Sequence, residues 1–226
     1  MSNKLKFALA FFVATVAASA SAAPIVLNFE GVGNQAAVLN FYNGGTDSQG
    51  NSGTNYGIAF GANTLGIVDE DAGGDGNFAN EPSPNTVMFF LTGSAILNNA
   101  AGFDTGFSFY YSSSKTAVVN VYEGLNGTGA LLGSINLAAQ YNSGCTGDPT
   151  GEYCNFTPIG VNFAGIAHSI DFGGPVNNIA FDNITFGSAT AGGGSTDVPE
   201  PGTLALFGLG LLGTMAARRK SSKTKS

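Results

Sequence analysis

AVVNVYEGLNGTGALLGSINL, residues 117–137, decides how the rest of the chain is read. Val119 and Val121 alternate with Val118, Asn120 and Tyr122, the period-two pattern of a strand with one buried face. EGLNGTG, 123–129, follows with the glycine and asparagine chemistry of a hairpin turn. ALLGSINL, 130–137, then supplies a return strand. The stretch predicts an antiparallel hairpin.

The same texture extends in both directions. Short apolar and aromatic runs alternate with Gly, Asn and Ser clusters from 24 to 186. Strands are predicted at 25–30, 37–42, 56–60, 86–92, 107–112, 117–123, 130–137, 168–172 and 178–186. About nine strands at this spacing predict an antiparallel β-sandwich of jelly-roll type. Composition agrees: 34 Gly, 18 Phe and 7 Tyr with only 10% charged residues favour strands and tight turns over helices. No amphipathic helix and no repeat of fixed period stands out in this region. Two polar loops, 44–55 and 69–85, interrupt the pattern, and the second is acidic. GSATAGGGSTD, 187–197, reads as a flexible linker. The expected organisation is a signal segment at 1–22, a sandwich at 23–187, a linker at 188–197 and a tail at 198–226.

Charge is unevenly placed. Between 23 and 197 there are fourteen Asp and Glu against Lys115 alone, a net −13. Such a domain lacks the cations that neutralise phosphates, so nucleic acid is not an expected partner. The N-terminus carries Lys4 and Lys6, then an apolar run over 7–18, then Ala20-Ser21-Ala22. This is the order of a secretory signal, cut by signal peptidase after Ala22. Export makes an oxidising compartment. There Cys145 and Cys154, the two cysteines, read as a disulfide across the turn formers Asp148, Pro149 and Gly151.

Catalytic chemistry is hard to assemble. His168 is the one histidine, sits in a strand-like run and has no Ser nucleophile motif to serve. No paired carboxylates are set across a cleft by the sequence, so an enzyme is not expected and an extracellular hydrolase is the least favoured reading. Asp69, Asp71, Asp75 and Asn77 form a dense oxygen-donor run, but the twelfth position is Asn80 where an EF-hand needs a bidentate Glu. The run reads as a solvated acidic loop. Tyr42, Tyr56, Tyr110, Tyr111, Tyr141 and Tyr153 are the aromatic candidates for a sugar platform, in a chain without Trp. Tyr110 and Tyr111 are adjacent in a strand, so one must face outward.

Glu30 ends the first predicted strand, and Asp182 lies in the last. In many jelly-roll carbohydrate-binding modules the first and last strands are neighbours and share a structural calcium, which makes Glu30 and Asp182 the candidate calcium ligands of the alternative reading, a calcium-stabilised carbohydrate-binding module. Phe181 and Ile184 both look like core residues, yet strict alternation puts them on opposite faces. A bulge at Asp182-Asn183 reconciles them.

The tail, VPEPGTLALFGLGLLGTMAARRK at 198–220, has three parts in order. Val198, Pro199, Glu200 and Pro201 give a short extended motif. Fifteen uncharged residues, 203–217, follow. As a helix they span roughly 22 Å, short of the roughly 30 Å hydrocarbon core. Arg218, Arg219 and Lys220 then hold this end on the cytoplasmic side. The arrangement resembles the PEP-CTERM sorting signal of Gram-negative bacteria. The resemblance implies an exosortase as processing partner, a transient stay in the inner membrane, and delivery to the surface or an exopolysaccharide matrix. The Gly-rich middle, about 107–187, is similar in style to passengers of such tails, which brings no assigned activity.

Overall fold

The computed structural model describes residues 24–192, so the signal segment and the tail from 193 onward lie outside the described residues. Eleven strands appear among the described residues. They are β1 (Ile25–Leu27), β2 (Ile58–Phe60), β3 (Leu65–Val68), β4 (Thr86–Phe89), β5 (Ala95–Phe103), β6 (Gly106–Ser113), β7 (Ala117–Tyr122), β8 (Leu131–Leu137), β9 (Thr157–Asn162), β10 (Ala167–Phe172) and β11 (Ile179–Phe186). One short 3-10 turn, Glu70–Ala72, is the sole helical element among them.

The strands form two antiparallel sheets. One has the order β3-β4-β11-β6-β9, with β1 also pairing β11. The other has the order β2-β5-β10-β7-β8. The β7–β8 hairpin behaves as its alternation predicts. Ala117, Val119 and Val121 are buried while Val118 is 40% exposed. Its turn closes through Glu123 N–H to the Ala130 carbonyl (2.9 Å) and Gly124 N–H to the Thr128 carbonyl (2.8 Å). Asn126 and Gly127 take left-handed φ of 57° and 68°, the backbone those residue types tolerate best.

The sheets meet across an aromatic core. Phe172 of β10 lies 4.9 Å from Phe181 of β11 and 5.9 Å from Phe109 of β6, ring centre to ring centre. Both contacts are edge-to-face, the geometry ring quadrupoles prefer. Two packed antiparallel sheets with inward aromatics make a β-sandwich.

Three strands escape the sequence pattern, and one predicted strand is corrected. AVLNFY at 37–42 is a series of turns: Phe41 N–H bonds the Val38 carbonyl (3.0 Å), Asn43 N–H bonds the Asn40 carbonyl (2.8 Å), and Leu39 sits at φ 48°. Its apolar residues still reach the core, with Val38 and Phe41 buried, but from turns. β3, β5 and β9 were not expected. β5 is rich in Ala and Asn, weak strand formers, and β9 contains Pro158. β9 is the edge of its sheet, the position where a proline is tolerated.

The flexible linker expected at 188–197 does not begin at 188. Ser188 accepts at its carbonyl from Ser108 Oγ (2.8 Å), Gly192 N–H donates to Thr185 Oγ1 (3.0 Å), and Ala191 is buried. Residues up to 192 therefore belong to the sandwich. Small residues on the sheet beneath make the close fit possible.

Candidate functional site

The feature with the clearest sequence signal, Val198 to Pro201 as a sorting motif with Arg218, Arg219 and Lys220 behind it, lies outside the described residues. Inside them, the β1–β11 junction holds a buried polar site. β1 and β11 pair with Ile25 opposite Phe186 and Leu27 opposite Ile184, so first and last strands are neighbours as expected. The expected bulge is present. The β11–β6 register jumps between Asp182 and Thr185, Asn183 takes φ 47°, and Phe181 and Ile184 are both fully buried.

The bulge leaves Asp182 buried beneath the loop before β4. Its carboxylate accepts from Ser83 N–H (2.8 Å), from Ser83 Oγ (2.8 Å) and from Asn183 N–H (2.6 Å). Ser83 is held in turn, because the same hydroxyl lies 2.9 Å from the Asn28 carbonyl. Glu30 works a few residues away: its Oε1 accepts from Asn85 N–H (3.0 Å) and Thr86 N–H (2.9 Å). Two acids from opposite ends of the chain thus staple one loop. Burial pushes the Asp182 carboxyl up to about 6, against the pull of the Ser83 and Asn183 donors. Burial pushes Glu81 up to about 7, with the charges of Asp69, Asp182 and Glu30 adding to the rise. Among the described residues the basic side chains are Lys115 and His168, and no lysine or arginine pairs these acids.

The structure brings Glu30 and Asp182 to one loop, where protein donors meet both carboxylates. Among the described residues no three His, Cys, Asp or Glu side chains group as a metal site. The acidic run divides its donors. Asp69 accepts from Asp71 N–H (3.3 Å), Asp75 from Asn34 (2.6 Å) and Gln35 (2.8 Å), while Asn77 donates to Glu152 (2.9 Å). His168 Nδ1 stands 2.6 Å from the Glu123 carbonyl, a contact that fixes the hairpin turn.

Cys145 and Cys154 are joined. Their loop is bound to the acidic loop through Ala79 N–H to the Tyr153 carbonyl (3.1 Å) and Glu152 N–H to the Asn77 carbonyl (2.7 Å). Together the two loops wall a small pocket of about 40 Å³ over Ile67, Val87, Phe89 and Ile179, with Phe78 and Tyr153 at its side. The tyrosines divide. Tyr42 and Tyr111 are buried, so Tyr110 is the one of its pair off the core. Tyr56 and Tyr141 are exposed, and Tyr141 meets Tyr153 edge-on at 5.4 Å. The two exposed rings do not form a shared stack. Ser83 had no sequence signal as the partner of Asp182, being 99 residues away.

Comparison with known proteins adds a firm result at the tail. Residues 197–220 match the family model described as the PEP-CTERM protein-sorting motif. The chain carries that motif, and Val198, Pro199, Glu200, Pro201, Arg218, Arg219 and Lys220 all fall within it. No curated protein matches the chain. Among solved structures, it is similar to a module from Clostridium stercorarium in complex with cellobiose, at 14% identity over 56% of this chain and 82% of that one, TM-score 0.36. It is similar to a carbohydrate-binding module of Cellvibrio mixtus lichenase 5A in complex with cellotriose, at 14% identity over 56% and 88%, TM-score 0.33. It is also similar to a family 43 arabinoxylan arabinofuranohydrolase from Bacillus subtilis, at 16% identity and TM-score 0.39, covering 57% of this chain but 25% of the enzyme.

Proposed function

We propose that this chain is an exported precursor that exosortase processes at its tail, delivering the sandwich to the surface or extracellular matrix of a Gram-negative bacterium. The observation that carries this reading is the sorting motif at 197–220. Its parts are suited to the task. The prolines keep the backbone extended for an enzyme to grip, the short apolar run holds the precursor in the inner membrane, and the basic cluster fixes its orientation. The delivered domain acts as a structural or adhesive element in exopolysaccharide, with no catalysis of its own. The repeated crossing of the chain between sheets supports a jelly roll.

Replacing Pro199 and Pro201 with Ala tests the sorting step. The full-length precursor is expected to accumulate in the inner-membrane fraction. Unchanged processing and surface delivery would overturn the reading. Binding of the purified domain to a glycan array, lost in Tyr141→Ala, would move it toward a carbohydrate-binding module. The calcium role of Glu30 and Asp182 goes with that second reading, and a melting temperature untouched by chelator would remove it.

A further inference from the structure

The segment after β11 is held in a groove with a glycine floor. Gly187 N–H donates to the Gly106 carbonyl (3.0 Å), and Thr105 Oγ1 lies 3.3 Å from the Gly187 carbonyl. Ser108 then bonds the Ser188 carbonyl, and Thr185 receives Gly192 N–H. Between these fixed ends the backbone passes directly over two strand glycines. A Cβ on Gly160 of β9 would come within 2.2 Å of the Ala189 carbonyl oxygen. A Cβ on Gly106 of β6 would come within 2.7 Å of the Ala189 nitrogen. Neither glycine has a positive φ, so strand geometry does not require them there. Room for the passing segment does, and at Gly160 the Ser108 side chain, 2.6 Å from such a Cβ, leaves no space either.

The sorting motif starts close behind. Five residues, 193–197, separate Gly192 from Val198. Fully stretched they reach roughly 17 Å. Residues 188–192 would add about as much again if they left the groove. We propose that residues 188–192 are a strap whose release from the glycine groove supplies the extended chain the membrane enzyme needs to grip Val198 to Pro201. The inference rests on the sorting reading and adds a control point to it: the fold itself limits how readily its own tail is processed.

Three variants of the full-length chain test this in cells that process the parent. Gly160→Val collides with the strap at Ala189 and also crowds Ser108 on the neighbouring strand. Ser108→Ala with Thr185→Val removes the two clamps and leaves the glycines alone. A ten-residue Gly-Ser insertion after Gly192 adds slack with the strap still docked. The first two are expected to open residues 188–192 to limited proteolysis, and all three to process several-fold faster than the parent. The insertion alters no packed residue, so it decides the matter if either substitution misfolds. An unchanged or slower rate in the insertion variant would overturn the strap. If Pro199→Ala with Pro201→Ala still blocks processing, the sorting reading survives that loss. If that variant is processed normally, sorting itself fails.

Discussion

Asp182 and Asn183 show how much one local irregularity can hold. Asn183 occupies the left-handed region at φ 47°, where a β-branched residue is strained. Asn183→Val is expected to cost about 1–2 kcal/mol, read as a lower denaturation midpoint with an unchanged slope. Asp182 gives a pH signature. Its folded value is about 6 against an ordinary 3.8, so between those values the folded state binds more protons than the unfolded one. Stability must then fall as pH rises through that window, and Glu81, at about 7, extends it upward. The domain is expected to be more stable in urea at pH 5 than at pH 8, Asp182 contributing about 1–3 kcal/mol, with the slope flattened in Asp182→Asn. A pH-independent midpoint would refute this. The bulge was legible because Phe181 and Ile184 cannot both face the core under strict alternation. The acceptor role of Asp182 toward Ser83 was not, because no local pattern joins residues so distant in sequence.

Strands were legible where alternation was carried by Val, Ile and aromatics. β7 and β8 show it, with Val119, Val121, Ile135 and Leu137 all turned inward. β5 hid because Ala95 and Asn99 are buried yet weak strand formers. The turn series at 37–42 looked like a strand because burial there follows turns and not a pleat. Residues 188–192 looked flexible by composition, since glycine and serine serve equally in a free linker and in a close-packed segment. The cysteine pair was legible from spacing and export. It joins residues nine apart, and Cys145→Ser with Cys154→Ser is expected to cost about 2.5 kcal/mol. That loss should appear as faster amide exchange at Ala79 and Tyr153, whose contact the loop maintains, while the β7–β8 hairpin stays protected. Equal loosening of both would mean the disulfide supports the whole sandwich.

At the scale of the molecule, the aromatic core joins the sheets and the tail carries the sorting motif. Phe172 touches Phe107, Phe109 and Phe181 across the interface, so Phe172→Ala is expected to cost about 3–5 kcal/mol in a denaturant titration. The sorting motif was the most legible feature of all, because it is read as sequence, while the sandwich owes its shape to pairings between strands far apart. The decisive measurement is the intact mass of the protein recovered from the cell surface or matrix. The expected mass is that of a chain lacking the signal segment and the apolar and basic residues beyond Pro201. Surface-delivered protein still ending at Ser226 would contradict processing at the motif.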